Sequence, residues 1–326
     1  MKNILLASTA LVAFAGAAAA DSHTSITFSG AASAEYNSAA GGGIHTDADL
    51  DATMSADLDN GVSVSVTIGI DTADNVGEAT KSGNLTISGA AGSFIIGNDV
   101  STASFSAVGD TIGLGAEDGV RGFIGSYTFG TTTLFVSAPM TAGQVGLPSD
   151  TIEFGVTAEV GGMTVGLGVA DEDYVGKVSG AVSGVSYTIA AGEVAGVDRW
   201  DVTLSYPVGA LTIGYTVDSG TDNPWEASAA YAEGALSAKV TYADATDSFK
   251  VEGSYDLGNG VVVNAGYLGA TVAGGSAETY VGGTYDLGGG ASAYASFVNS
   301  DTATFASEIG AQDYHDGTTI GVKFAF

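Results

Sequence analysis

A two-residue rhythm runs along nearly the whole chain and limits what it can fold into. In "TDADLDATMSADL", Asp47, Asp49, Asp51, Thr53, Ser55 and Asp57 fall on one side, with Leu50, Ala52, Met54, Ala56 and Leu58 on the other. In "DTIEFGVTAEV", Ile152, Phe154, Val156, Ala158 and Val160 oppose Glu153, Gly155, Thr157 and Glu159. "DRWDVTLSY" sets Trp200, Val202, Leu204 and Tyr206 against Arg199, Asp201, Thr203 and Ser205. "DSFKVEGSYDL" sets Phe249, Val251 and Tyr255 against Lys250, Glu252 and Ser254. Successive side chains of a strand point to opposite faces, so this period specifies strands with one apolar and one polar side. No stretch beyond the N-terminus keeps a helical period over several turns, so the chain reads as strand and turn throughout.

Glycine punctuates the strands. Tight connections fall at 59–61, 90–92, Gly130, 161–162, 183–184, 207–209, 233–234, 258–260 and 288–290. Glycine supplies the positive φ that short hairpins need. Longer polar connections lie between them, at 73–82, 139–149, 218–224 and 299–316. Short and long alternate, as in an up-and-down meander whose two rims differ. Nine tight turns and two free ends imply about 20 strands of about 8–12 residues, an even number.

The polar faces settle which side meets water. The chain carries 37 acidic residues against 8 basic ones, a net charge of −29, with 50 glycines and no cysteine. Acids recur on the same side as Asp49, Asp51, Glu153, Glu159, Asp201 and Glu252. Packing them into a dry centre with so few bases would cost several kcal/mol each. About 20 strands also close too wide for side chains to fill the interior. The expected fold is therefore all-β, a closed antiparallel transmembrane barrel. Its apolar side faces lipid, its carboxylate side lines an aqueous bore, and every backbone group is paired around the ring. Tyr187, Tyr206, Tyr255, Tyr285, Phe324 and Phe326 lie near tight turns or the C-terminus; Trp200, Trp225, Tyr215 and Tyr267 lie near longer loops, as two interfacial girdles would.

The ends fit the same scheme. "GTTIGVKFAF" alternates Ile320, Val322, Phe324 and Phe326 against Thr319, Gly321, Lys323 and Ala325. A last strand must pair with the first to remove the edge, and "SITFSGAASAEY" at 25–36 is the available partner, with Ile26, Phe28 and Tyr36 outward. The opening "MKNILLASTALVAFAGAAAADS" has Lys2, an apolar core from Ile4 to Phe14 and small residues before Asp21. It reads as a signal peptide over 1–20 cut after Ala20, leaving the barrel over 21–326.

These features exclude several functions. The charge is wrong for nucleic acid, which demands a basic face. A thiolate metal site is ruled out because there are no thiols. His23, His45 and His315 lie near termini or loops and no serine motif accompanies them, so catalysis is not expected. Asp47, Asp49 and Asp51 stand about 7 Å apart on alternate positions and offer at most weak Ca²⁺ binding, so no cofactor is expected. The glycines of "GLGVA" lack a following helix and are read as strand glycines.

Four stretches resemble the Rhodobacter-type outer-membrane porins of α-proteobacteria: "ITFSGAA", "LTISGAAGSFIIGND" at 85–99, "TYDLGGGASAYASF" at 284–297 and the terminal "GVKFAF". The resemblance implies a Gram-negative outer-membrane diffusion channel with 16 strands, set among lipid and lipopolysaccharide. It implies a homotrimer, a third external loop folded into the bore, and a terminal aromatic, here Phe326, read by the assembly machinery. Residues 99–121 occupy that loop's place, with Asp99, Asp110, Glu117 and Asp118 as its acids and Arg121 at its end. The loop is shorter than the family's usual one, and the strand count read from alternation exceeds 16.

The function expected on these grounds is passive, cation-preferring passage of small hydrophilic solutes and ions. The expected filter residues are the four loop acids with Arg121, Arg199 and Asp201, and Lys250 and Glu252. Lys239 and Lys323 are the remaining lumen-side bases. The rival reading is a secreted, acidic, Gly-rich structural or adhesive β protein without channel activity. It gives no reason for acids to share one face strand after strand.

Overall fold

The structure is a computed structural model that describes residues 24–39, 42–71, 80–109, 112, 120–140, 152–220, 222–270, 277–300 and 314–326. The expected leader over 1–20 lies outside these residues. The strands are β1 (Thr24–Asn37), β2 (Gly43–Asp57), β3 (Ser63–Asp71), β4 (Thr80–Gly89), β5 (Gly92–Val100), β6 (Val120–Phe129), β7 (Thr132–Pro139), β8 (Glu153–Val160), β9 (Met163–Ala170) and β10 (Asp173–Val182). They continue as β11 (Val185–Val194), β12 (Val197–Val208), β13 (Leu211–Asp218), β14 (Trp225–Glu233), β15 (Leu236–Ala243), β16 (Ser248–Gly258), β17 (Val261–Ala270), β18 (Glu278–Gly288), β19 (Ala291–Ser300) and β20 (Gly317–Ala325). Each pairs antiparallel with its sequence neighbours, and β20 pairs with β1, so one 20-stranded sheet closes on itself. The count of about 20 from alternation holds; the 16 implied by the family resemblance does not.

The seam joins Ala31–Asn37 of β1 to β20. Ser33 stands opposite Lys323 and Tyr36 opposite Ile320. Phe326 extends the ladder, exchanging backbone hydrogen bonds with Gly30 at 3.0 and 3.1 Å. Among the described residues every strand is paired on both sides over at least part of its length, so the sheet has no edge strand, while Thr24–Ser29 of β1 run on past the end of β20.

All nine expected tight turns join their strands at one rim, and both ends of the described chain lie there. Two of them share a device. In "YDLGNG" and "YDLGGG", Asp256 and Asp286 accept from the amides of Gly258 and Gly288 at 2.8 and 2.7 Å, and the ladder shifts by a residue at each. These side-chain turns hold the bulge, and the positive φ of Gly260 and Gly290 (both +80°) carries the chain round. The opposite rim carries the longer connections, although β9–β10 and β11–β12 are also joined by only two residues there.

The two faces differ as alternation requires. Phe154 (54% exposed), Leu167, Ile189, Leu204, Val240 and Val281 stand exposed on the outside. In water this surface would be untenable for a monomer; in lipid it is the expected solvent contact. Aromatic residues cluster on it near the loop rim, where Trp225 lies 6.1 Å from Tyr215 and 5.2 Å from Tyr242, and Phe249 lies 5.3 Å from Tyr267.

Among the described residues one helix breaks the all-strand expectation: α1 (Ala103–Val108), six residues within the third connection of the loop rim. Thr102 caps it, its hydroxyl accepting from the Phe105 amide at 3.3 Å. "ASFSAV" is less than two turns long and has no room to display a helical period.

Candidate functional site: a narrowed bore

Helix α1 lies against the inner side of β7–β10, on a seat made of glycine. Gly155 stands opposite Gly168, and Gly166 opposite Thr157, all on the side away from Phe154 and Leu167. A Cβ at Gly166 would come 2.5 Å from the Ala107 carbonyl oxygen, and one at Gly168 would come 3.1 Å from Ser104 Cα. At Gly155 it would collide with the Ala103 carbonyl. The glycines of "GLGVA" are therefore more than strand residues: without side chains they let the helix backbone approach the wall.

Polar contacts fix both helix ends. The Ser104 hydroxyl donates to Glu153, as does the Ser104 amide, and the Ala103 amide donates to Ser137 Oγ at 2.7 Å. At the other end, Lys177 Nζ donates to the Val108 carbonyl at 2.9 Å. A carboxylate sits at the positive end of the helix dipole and an ammonium at the negative end, so both charges favour this orientation. Between them Ala107, Val108 and Ile112 bury against Val175, Ala190 and Val194, with Phe135 packed alongside. Val108 is wholly buried, whereas Phe105 and Ser106 remain half-exposed and turn to the bore.

The opposite wall is built on a repeated arrangement of tyrosine over glycine. The Tyr280 ring lies across Gly266 of β17 and its hydroxyl donates to Glu252 of β16 at 2.8 Å. The Tyr294 ring lies across Gly321 of β20, and its hydroxyl donates to Glu35 of β1 at 2.5 Å. Tyr314 lies across Gly282 of β18 and meets Asn264 of β17 at 3.3 Å. Each glycine leaves the space that a ring fills, so one side chain ties three strands together. Burial pushes the Tyr314 phenol pKa up, so it stays a neutral hydroxyl near pH 7.

Charged and polar side chains decorate this wall. Lys250 pairs with Glu252 at 2.9 Å, Lys323 lies 5.0 Å from the Tyr294 ring centroid, and His315 Nε2 lies 3.8 Å from Glu35.

A model for Gram-negative porins matches residues 7–302 of the chain. The chain belongs to the Gram-negative porins.

Among solved structures, a variant of the Rh. blastica porin aligns with 14% identity and a TM-score of 0.47, covering 92% of this porin and 100% of that chain. OmpT of Vibrio cholerae, with its loop L8 deleted, aligns with 15% identity and a TM-score of 0.43, over 93% of this porin and 100% of that chain. No curated protein matches the sequence. Family membership places the porin in the outer membrane of a Gram-negative bacterium, as a channel.

The expected filter residues fall in different places. Asp110, Glu117 and Asp118 lie outside the described residues, as does the side chain of Asp99. Lys250 and Glu252 meet as an ion pair on the inner side. Arg199 and Asp201 share that side with the same spacing, yet form no ion pair. Asp201 instead accepts from the Thr203 hydroxyl at 3.4 Å and stands opposite Asp218. Arg199, Asp201, Asp218 and Ile112 border one recess of about 460 Å³. Arg121 is exposed and takes the strand parity of Phe123 and Tyr127, which is the lipid-facing side. Lys177 was not among the expected filter residues; its position on β10 opposite Gly166 was the available signal.

Proposed function

We propose that this porin is a water-filled diffusion channel that passes small hydrophilic solutes and ions, cations more readily than anions, without any covalent step. The observation that carries the reading is the closed ring with its carboxylate-bearing side turned to the same space as α1. Asp49, Asp51, Glu153, Glu159, Asp201, Asp218, Glu252 and Glu35 share that side. Of the bases there, Lys177 is held by the α1 carboxyl end and Lys250 by Glu252, which leaves Arg199, Lys239 and Lys323 as the other positive charges on the inner strand faces. A bore walled by fixed negative charge concentrates cations and repels anions.

Reconstitution into planar bilayers under a salt gradient tests this. Stepwise conductance with a cation-favouring reversal potential is expected; a water-soluble monomer without conductance would return the acidic secreted-protein reading. Neutralising Asp110, Glu117 and Asp118 together is expected to reduce cation preference, and unchanged selectivity would place the filter elsewhere.

By resemblance the porin works as a homotrimer, and Phe326 presents its aromatic ring to the assembly machinery. An exposed, mainly apolar depression of about 700 Å³ runs over Ala34, Val263, Ala293, Ala295, Ile320 and Val322 on the outer wall at the seam. Small side chains there suit the close approach of another apolar wall. Cross-linking in detergent reads the subunit number directly.

A further inference from the structure

Among the described residues, the helix has a counterpart on the facing wall. Gly155, beneath α1, lies on β8, and Gly282, beneath Tyr314, lies on β18. In a ring of 20 strands these are ten strands apart, so the two face each other across the barrel. Each glycine lies within its strand, clear of both ends. Gly166 is four residues in from the loop-rim end of β9 at Ala170, and Gly282 is four residues in from the loop-rim end of β18 at Glu278. Four residues of strand correspond to about 13 Å of path.

Residues 314–316 are firmly seated. Tyr314 is 6% exposed, packs edge-on to Tyr280 with ring centroids 5.5 Å apart, and meets Asn264, itself buried. The Asp316 carbonyl accepts from Asn37 Nδ2 at 2.9 Å, and its carboxylate accepts from the Ser300 amide at 3.2 Å. His315 reaches towards Glu35 and stays a quarter exposed on its side chain. A segment that only joined β19 to β20 over the rim would not need a tyrosine buried two strands away.

We propose that His315, seated by the buried Tyr314, forms the wall of the constriction that faces Phe105 and Ser106 of α1, and that the two residues so set the aperture together with the helix. This deepens the channel reading and rests on it. Here the narrowest passage has two jaws: a helix on a glycine seat, and the end of the last loop locked over Gly282. Solutes pass between Phe105 and Ser106 on one side and His315, on its buried tyrosine anchor, on the other. Width is then controlled by both walls, not by the third loop alone.

The chain has no cysteine, so an introduced thiol is unique and can be modified selectively. Single channels of the parent are recorded first; a parent that never conducts overturns the channel reading, and the two-jaw arrangement with it. His315→Cys is then treated with a bulky water-soluble methanethiosulfonate during recording, with Ile44→Cys, exposed on the outer face, as the control. A stepwise loss of current in His315→Cys, with none in Ile44→Cys, is expected. Tyr314→Ala is expected to raise the conductance and the size of the largest neutral polymer that enters. Modification of Cys at 315, verified by mass, with unchanged current overturns the proposal. So does a folded Tyr314→Ala channel with the parent's conductance. If Tyr314→Ala fails to fold, the thiol experiment decides alone.

Discussion

Lys177 Nζ donates to the Val108 carbonyl at 2.9 Å, so an ammonium on the barrel wall closes the last turn of a helix that stands inside the bore. A charged hydrogen bond of this kind contributes about 1.5–3 kcal/mol. Lys177→Met is expected to free the C-terminal end of α1 while leaving the wall intact. Single-channel recording should show higher mean conductance and more frequent sublevels than the parent; an unchanged trace would mean that the buried Val108 and Ala107 hold the helix without the lysine.

Gly166 supports the same helix from beneath. A methyl there would come 2.5 Å from the Ala107 carbonyl oxygen, closer than any ordinary contact, and the wall strand cannot retreat without breaking its ladder. Gly166→Ala is therefore expected to push α1 towards the axis. The measurable result is lower conductance and a smaller exclusion limit for neutral polymers, opposite in sign to Lys177→Met.

Glu252 holds Lys250 at 2.9 Å and accepts from Tyr280. Glu252→Gln removes one carboxylate and leaves an unpaired ammonium on the bore side. Reversal potentials in a salt gradient should shift towards anions, and the shift should shrink as salt is raised, because screening shortens to about 3 Å at 1 M. Lys250→Met should move the potential the other way.

Gly321 is the floor under Tyr294, whose hydroxyl reaches Glu35 across the seam between β20 and β1. Gly321→Ala is expected to lift the ring and break that bond, which as a hydrogen bond to a charged group contributes about 1.5–3 kcal/mol. Thermal unfolding in detergent should begin at lower temperature. Tyr294→Phe, which keeps the ring and loses only the hydroxyl, should lose less.

Much of the barrel was legible because its physics is local. Alternation around Asp49, Phe154 and Leu204 fixed which side each residue takes, and Gly130 or Gly161 marked where the chain reverses. The sequence period also gave a better strand number than family resemblance, since each hairpin announces itself independently. The interior was harder to read. "ASFSAV" is too short to show a helical rhythm, and the glycines that seat it look like any others in a strand. Identical spacing did not give identical pairing either. Lys250 leans to Glu252, whereas Asp201 faces Asp218 and turns to Thr203, so Arg199 is left apart. Tyr314 reaches Asn264 fifty positions earlier in the chain, and no local pattern reports a contact between strands that meet only after folding.

The parity that assigns each side chain to lipid or water also governs how this protein can change length. One residue inserted into β12 just before Asp201 would turn Asp201 outward and Leu204 inward, and every position after it until the next turn would be exposed to the wrong solvent. Additions to the strands must therefore come in twos, or fall where the Asp256 and Asp286 bulges already absorb an odd residue. Single-residue drift during evolution is confined to the rims, and the bore can be reshaped by loops while its staves keep their count.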